Sequence, residues 1–390
     1  MSCEPGYLPV LAVMHPRAKG NARRIGTLKK RYLAFVAGLF LYPSSPLVRQ
    51  LQAERVEGGA FMSLEQEVNE WIDGAAKPRH SLGLLEKYLK KMVLSWGEVK
   101  TELKPFHLVF AADNGVISEG VAKDSEEITY LQAQNMVDGR ATISCFCQQC
   151  GIPYRVIDVG INSTRPFTGI SRKAALGSRS FLKEEAMSEA EFAVAWEAGQ
   201  EQVRQLVAKG YNLISLGEMG IGNTTTSSAV LHGLTGILPE FIVGGGAGLQ
   251  TSELIKNKCQ VVAKGVELHK EKFHTAKDIL RCVGGFDMVA ICAAMLECAR
   301  LKTPFVIDGF ITAVAYICAS KLDTGVEKYA IPSHMSREPG MAYSLLLGNI
   351  PAEEVVLKAN MALGEGTGAV LMVFLLKTML YTMHNMARIT

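Results

Sequence analysis

The sequence predicts an α/β protein built on a doubly wound parallel sheet, with a small helical domain formed from both chain ends. Three observations predict it. Short apolar runs recur from about residue 106, and several end in glycine beside an acid or another polar group. Helical patterns fill the intervals between them. Glycine is abundant, at 37 of 390 residues without a collagen-like period, as tight strand-to-helix turns require.

The runs follow in order. His107–Ala112 leads into Asp113-Asn114-Gly115, and Tyr154–Ile157 leads into Asp158-Val159-Gly160. Leu213–Leu216 leads into Gly217-Glu218, Phe305–Ile307 into Asp308-Gly309, and Ala330–Pro332 into Ser333-His334. Phe241–Val243 is also strand-like. Helical periodicity covers 190–208, 226–234, 252–271, 287–300 and 311–320. Ligands of such sheets sit outside the carboxyl ends of the strands, where Asp113, Asp158, Glu218, Asp308 and His334 collect.

The flanks 64–96 and 353–387 read as helical throughout, which assigns 62–104 plus 345–390 to the helical domain and 105–344 to the α/β domain. Ser63 followed by Glu65 and Glu67 is a helix-start signal. Residues 1–61 form a basic extension of poor periodicity, carrying Arg17, Arg23, Arg24, Lys29 and Lys30 among others. That extension reads as a targeting-like leader, a stretch upstream of a functional start at Met62, or a disordered tail.

Composition excludes several classes. Apolar residues are 48% and charged residues 20%, enough to bury a large core. A net charge of +3 gives no footing for nucleic acid or an anionic membrane surface. The apolar stretches at 32–42 and 370–380 are too short or too interrupted for a membrane span. Nine cysteines, an odd number in mostly apolar surroundings, point to a reducing, cytoplasmic compartment rather than a disulfide scaffold. Cys145, Cys147 and Cys150 read as buried-helix packing, because no partner group of ligands follows them. No metal and no cofactor are expected.

Four segments carry candidate chemistry. Gly217, Glu218, Met219, Gly220, Ile221, Gly222, Asn223, Thr224 and Thr225 follow a strand and open a helix, where backbone N–H groups and hydroxyls bind phosphate. The alternative is an ordinary glycine turn, since neither a P-loop lysine nor the dinucleotide glycine spacing is present. Gly244, Gly245, Gly246, Ala247 and Gly248 form a second cluster, read either as a companion ribose-phosphate cradle or as a loop. Leu363-Gly364-Glu365-Gly366-Thr367-Gly368 sets one carboxylate among glycines, suiting either a general base or a helix-start acid. Ser333-His334-Met335-Ser336-Arg337-Glu338 groups polar side chains, but without a nucleophile elbow or an orienting acid it does not read as a hydrolase.

Together these motifs resemble the nicotinate-nucleotide:dimethylbenzimidazole phosphoribosyltransferase family. The matching pieces are Lys77-Pro78 with Ser81-Leu82-Gly83, Ala112 to Val116, Glu119-Gly120-Val121, Asp158-Val159-Gly160 and Gly217 to Thr225. Val283 to Asp287, Asp308-Gly309-Phe310, Ser333-His334 with Ser336 and Glu338, and Leu363 to Gly368 complete the set in the family's order, from about residue 62 onward. The resemblance implies a Rossmann-like sheet domain, a helical domain from both termini and a dimer. It implies transfer of phosphoribose from nicotinate mononucleotide to an aromatic base, in the making of a cobamide lower ligand, without a metal.

Carried over position by position, the resemblance makes Glu365 the general base and places Glu218 and Lys258 beside the nucleotide. Gln132 falls in the base pocket; Asp124 falls at its edge. Gly217, Gly220, Gly222, Asn223, Thr224, Thr225, Gly244, Gly245 and Gly246 become phosphate and ribose turns, and Leu363, Gly364, Asp308, Ser333 and Glu338 rim positions. The chain departs from the pattern at Asn114, Arg79-His80, Asp124-Ser125 and Met341, changes expected to cluster around the base. They leave open another benzimidazole, a purine or a phenolic base. A homodimer is expected, with two alternatives: a subunit working with a paralogue, or a nucleotide sensor.

Overall fold

The computed structural model describes residues 62–123, 127–246 and 251–389. The chain divides into Met1–Met62 and Ser63–Thr390, and the basic extension with its three readings, together with the apolar stretch 32–42, lies outside the described residues.

Two helices open the second unit: α1 (Leu64–Asp73) and α2 (Leu84–Trp96). The predicted start at Ser63 is a capping box, in which Ser63 and Gln66 exchange side-chain-to-backbone bonds. Strand β1 (Pro105–Ala112) follows, then α3 (Glu127–Val137), α4 (Thr142–Cys150), β2 (Tyr154–Gly160), β3 (Ile170–Ser171) and α5 (Glu189–Ala208). Next come β4 (Leu213–Met219), α6 (Asn223–Thr235), α7 (Pro239–Ile242), α8 (Ser252–His269), α9 (Ala276–Val283) and α10 (Phe286–Arg300). The chain ends with β5 (Phe305–Ile307), α11 (Phe310–Leu322), β6 (Ala330–Pro332), α12 (Gly340–Leu347) and α13 (Thr367–Asn385).

The six strands pair in parallel in the order β3-β2-β1-β4-β5-β6. The chain reverses direction of winding between β1 and β4, the position where open α/β sheets bind ligands. All of β1 is buried, as a central parallel strand covered on both faces must be. Its side chains alternate between two cores. Phe106, Leu108, Phe110 and Ala112 join one core with α5, α6 and α8 to α12. Val109 and Ala111 join the other with α1 to α4 and α13.

Helices from the two chain ends therefore do meet, and they share their core with one face of the sheet. The flank after 353 differs from the helical expectation: past the short turn at Ala352–Glu354 it is irregular until Gly366, the N-cap from which α13 starts. Glycines at 364 and 366 and Asn360 at positive φ interrupt any helix there. Helix α13 is long and apolar enough to cross a membrane by composition, but more than half of it is buried in the second core. A second difference is 241–243, where the strand-like run lies at the end of α7, a single helical turn begun by Pro239 at its first position.

Candidate active site

A cavity of about 520 Å³ opens at the carboxyl ends of the strands. Its walls come from the end of β4, the start of α6, the loop before α8, α8 itself, the β5–α11 turn and the turn before α13. Glu218, Gly220, Gly222, Asn223, Thr224 and Thr225 line it, as do Gln132, Lys258, Gly245 and Gly246. Asp308, Glu338, Leu363, Gly364 and Glu365 complete the predicted residues found on its wall. Asp124 lies outside the described residues, as do Ala247 to Gln250.

Three predicted residues stand behind the wall. Gly217 sits directly beneath the Glu365 carbonyl, where any Cβ would overlap backbone. Gly244 backs onto Glu338 and Pro339 and gives its carbonyl to Lys258. Ser333 is fully buried and donates to the Asp308 carbonyl at 3.1 Å.

Glu365 occupies an unusual backbone state. Gly364, Glu365 and Gly366 all have positive φ, of 87°, 63° and 87°. For a residue with a side chain that costs about 1–3 kcal/mol, and the surroundings must hold it. Gln132 Nε2 donates to Glu365 Oε1 at 2.7 Å, and the Ile143 N–H at the start of α4 donates to Oε2 at 3.2 Å. His107 bridges the Glu365 carbonyl (Nε2, 2.9 Å) and Ser215 Oγ (Nδ1, 2.9 Å). Burial raises the proton affinity of the Glu365 carboxyl, while the Gln132 and Ile143 donors lower it. The result is an ionisable carboxylate shielded from water and aimed by two donors, the form a general base takes.

Behind the glycine turn lies a buried acid pair. Asn223 Nδ2 donates to Glu218 Oε2 and, at 3.1 Å, to Asp287 Oδ2. Burial first, and Asp287 second, push Glu218 up to about 8, so at neutral pH it keeps its proton. Burial pushes Asp287 up to about 6. Asp308 accepts from the Ala369 N–H at 2.9 Å at the opening of α13, which fixes the turn carrying Glu365. On the opposite wall Lys258 Nζ donates to Thr224 Oγ1 at 3.1 Å and to the Gly244 carbonyl at 3.0 Å, tying the two glycine turns together. Burial lowers its proton affinity. Glu338 Oε1 accepts from the Gly246 N–H at 2.7 Å.

The floor is mixed. Val121, Ala122, Ile128, Met219 and Ile221 add apolar surface suited to a flat ring, while Gly222, at φ 89°, starts α6 without a side-chain cap. The N-terminus of α6 thus faces the cavity as an anion-binding end. Among the described residues no group of three or more His, Cys, Asp or Glu is arranged to hold a metal.

Sequence reasoning missed several participants. His107 reads as an ordinary strand residue, and Asp287 as the start of a helix and the end of a matched motif, without a role in the site. His334 and Ser336 line the cavity; the sequence sets His334 on the ligand rim and both in the matched motif, but assigns a substrate-binding place only to Ser333 and Glu338 of that segment. The departure at Asn114 lies beneath the glycine turn rather than beside the apolar floor: its amide contacts the Ile221 carbonyl at 3.3 Å and the Thr226 hydroxyl at 3.4 Å.

A cavity at the winding switch of a parallel sheet, with a shielded carboxylate, two glycine turns and an apolar floor, defines an α/β transferase-type site for an anionic sugar and a flat base. The family model described as Phosphoribosyltransferase matches residues 61–390. The chain belongs to this phosphoribosyltransferase family. It is 37% identical over 318 residues to the nicotinate-nucleotide–dimethylbenzimidazole phosphoribosyltransferase of Clostridium tetani, covering 81% of this chain and 87% of that one. The protein of the same name from Bacteroides fragilis is 36% identical over 311 residues, covering 79% and 89%. A crystal structure of CobT from Thermus thermophilus superposes with a TM-score of 0.77 at 33% identity, covering 83% of this chain and 96% of that one.

Proposed function

We propose that this chain transfers the 5-phosphoribosyl group of nicotinate mononucleotide to an aromatic lower-ligand base, giving an α-linked nucleotide and nicotinate in cobamide synthesis. The observation that carries this reading is Glu365, a buried carboxylate held in a strained turn by Gln132 and Ile143 on the wall of the cavity. The names of the relatives supply the substrates.

One base nitrogen uses its lone pair to form the bond to the anomeric carbon. The bond from that carbon to the pyridine nitrogen breaks, and nicotinate leaves with the electron pair. Attack from the opposite face inverts the β-linked substrate to the α product. The proton on the other azole nitrogen passes to Glu365. The α6 N-terminus and the Gly244–Gly246 turn hold the phosphate and ribose, and Lys258 keeps those turns in register. Holding both reactants in one cavity supplies proximity. The carboxyls of Glu218 and Asp308 face a centre that gains positive character; Glu218 serves as a hydrogen-bonding acid at neutral pH and as an anion only above about 8.

Four further readings belong to the proposal. The chain works as a homodimer, supported by exposed Leu238, Phe241, Leu346 and Tyr381. It works in the cytoplasm, supported by eight free cysteines among the described residues. Residues 62–104 with 345–390 act as a helical domain beside 105–344, supported by the meeting of α1, α2 and α13 in the core on one face of the sheet. The base is dimethylbenzimidazole or a related ring.

Purified protein incubated with nicotinate mononucleotide and a panel of benzimidazoles, purines and phenols tests the reading. The expected product has the mass of the base nucleotide, α configuration by NMR, and equimolar nicotinate. No product with any base, alone or with a co-expressed paralogue, refutes it. Light scattering of the same sample checks the dimer.

A further inference from the structure

We infer that His107, buried in the middle of β1, is a positioning residue that locks the left-handed backbone of Glu365 and thereby aims its carboxylate. The inference rests on the proposed role of Glu365 as base.

The argument begins with the turn. A side-chain-bearing residue at φ 63° sits here between two glycines at φ 87°, in a turn closed by Thr367, whose N–H and hydroxyl donate to the Gly364 carbonyl at 3.2 and 2.9 Å; those bonds do not engage the Glu365 carbonyl. Its side-chain bonds to Gln132 and Ile143 act on the carboxylate, which substrate must displace or share. The Glu365 carbonyl has a hold of its own. His107 Nε2 provides it at 2.9 Å from the Glu365 carbonyl.

The chemistry of the partners fixes the ring. A carbonyl oxygen only accepts, so Nε2 carries the hydrogen. Nδ1 of the neutral ring is then the acceptor, and Ser215 Oγ, 2.9 Å away on β4, donates to it. His107 and Ser215 are register partners on adjacent strands and both fully buried, so the ring cannot swing away. Burial holds its proton affinity down to about 4, which keeps it neutral at working pH.

Steric fit agrees with the hydrogen bonds. A Cβ on Gly366 would overlap the His107 ring, and a Cβ on Gly217 would overlap the Glu365 carbonyl. The turn is thus seated on β1 and β4 by close backbone approach, with His107 as the polar contact at its centre. No substrate atom needs to reach this histidine. It acts through Glu365 alone.

Three substitutions separate aim from bulk. In H107Q the amide nitrogen takes the place of Nε2 and still reaches the Glu365 carbonyl. In H107N the amide reaches only as far as Nδ1 and loses it. H107F keeps volume and offers no donor. The expected result is kcat down by about 10- to 100-fold in H107N and H107F, the scale set by an ångström of misplacement. KM for nicotinate mononucleotide stays within about threefold, because the phosphate and ribose turns are untouched, and H107Q stays within about threefold of wild type in kcat. S215A, a smaller side chain that keeps the fold, is expected to lower kcat several-fold by freeing the ring.

Equal kcat in H107Q, H107N and H107F overturns the inference, as does a loss that appears as a rise in KM. Should H107N and H107F fail to fold, S215A decides alone: unchanged kcat sinks the idea. E365Q in the same assay separates the two readings. Wild type that makes product, an E365Q enzyme that does not, and a fully active H107N enzyme would sink the positioning role while leaving the general base intact.

Discussion

Replacing Glu218 with Gln should make the protein more resistant to unfolding at alkaline pH. Glu218 is buried beside Asp287, with Asn223 shared between the two carboxyls, and its proton affinity is pushed up to about 8 from an ordinary 4.5. Between those two values the folded chain keeps a proton that the unfolded chain has lost. Stability from this group is therefore fully present below about 4.5 and drains away as pH rises through about 8. The interval of about three and a half pH units, at 1.36 kcal/mol each, sets an upper bound of roughly 5 kcal/mol. A neutral amide at 218 does not titrate and escapes the loss. Urea unfolding of wild type and E218Q at pH 5.5, 7 and 8.5 measures it. The variant should gain progressively on wild type as pH rises. Parallel stability curves across that range refute the assignment of a buried, proton-retaining Glu218.

Other predictions follow from the same geometry. Gly366→Ala should abolish activity and cut stability by more than about 1 kcal/mol, read by turnover and thermal melting, because its φ of 87° and its seat against His107 leave no room for a methyl group. Gln132→Leu removes a donor that lowers the Glu365 proton affinity, so the acid limb of kcat/KM should move to higher pH in a pH–rate profile. Lys258→Met releases Thr224 and Gly244 and should raise KM for nicotinate mononucleotide by about 10- to 150-fold, the range of a lost bond to a charged group.

Much of this fold is written locally. Parallel strands buried on both faces appear as continuous apolar runs, which is why β1, β4, β5 and β6 are legible. Strand β3 is not, because two residues at a sheet edge leave no period to read. The run 241–243 misleads because a lone helical turn and a strand end have the same composition; Pro239 is the discriminating residue. The glycine turns and Glu365 stand out because backbone approach and positive φ require glycine at fixed places. His107 does not stand out, since its partners Ser215 and Glu365 lie 108 and 258 residues away and only the sheet brings them together. Glu218 is legible as a site residue, but its protonation is not, because that depends first on its burial in the folded chain and then on Asp287 arriving from α10.

The turnover of E365Q under saturating nicotinate mononucleotide and base tests the general base most directly. Loss of the carboxylate should lower kcat by about 10²–10⁴-fold while nucleotide affinity holds, because an amide at 365 cannot take a proton from the attacking ring. An E365Q enzyme that turns over within a few-fold of wild type would contradict the assignment of Glu365 as the base.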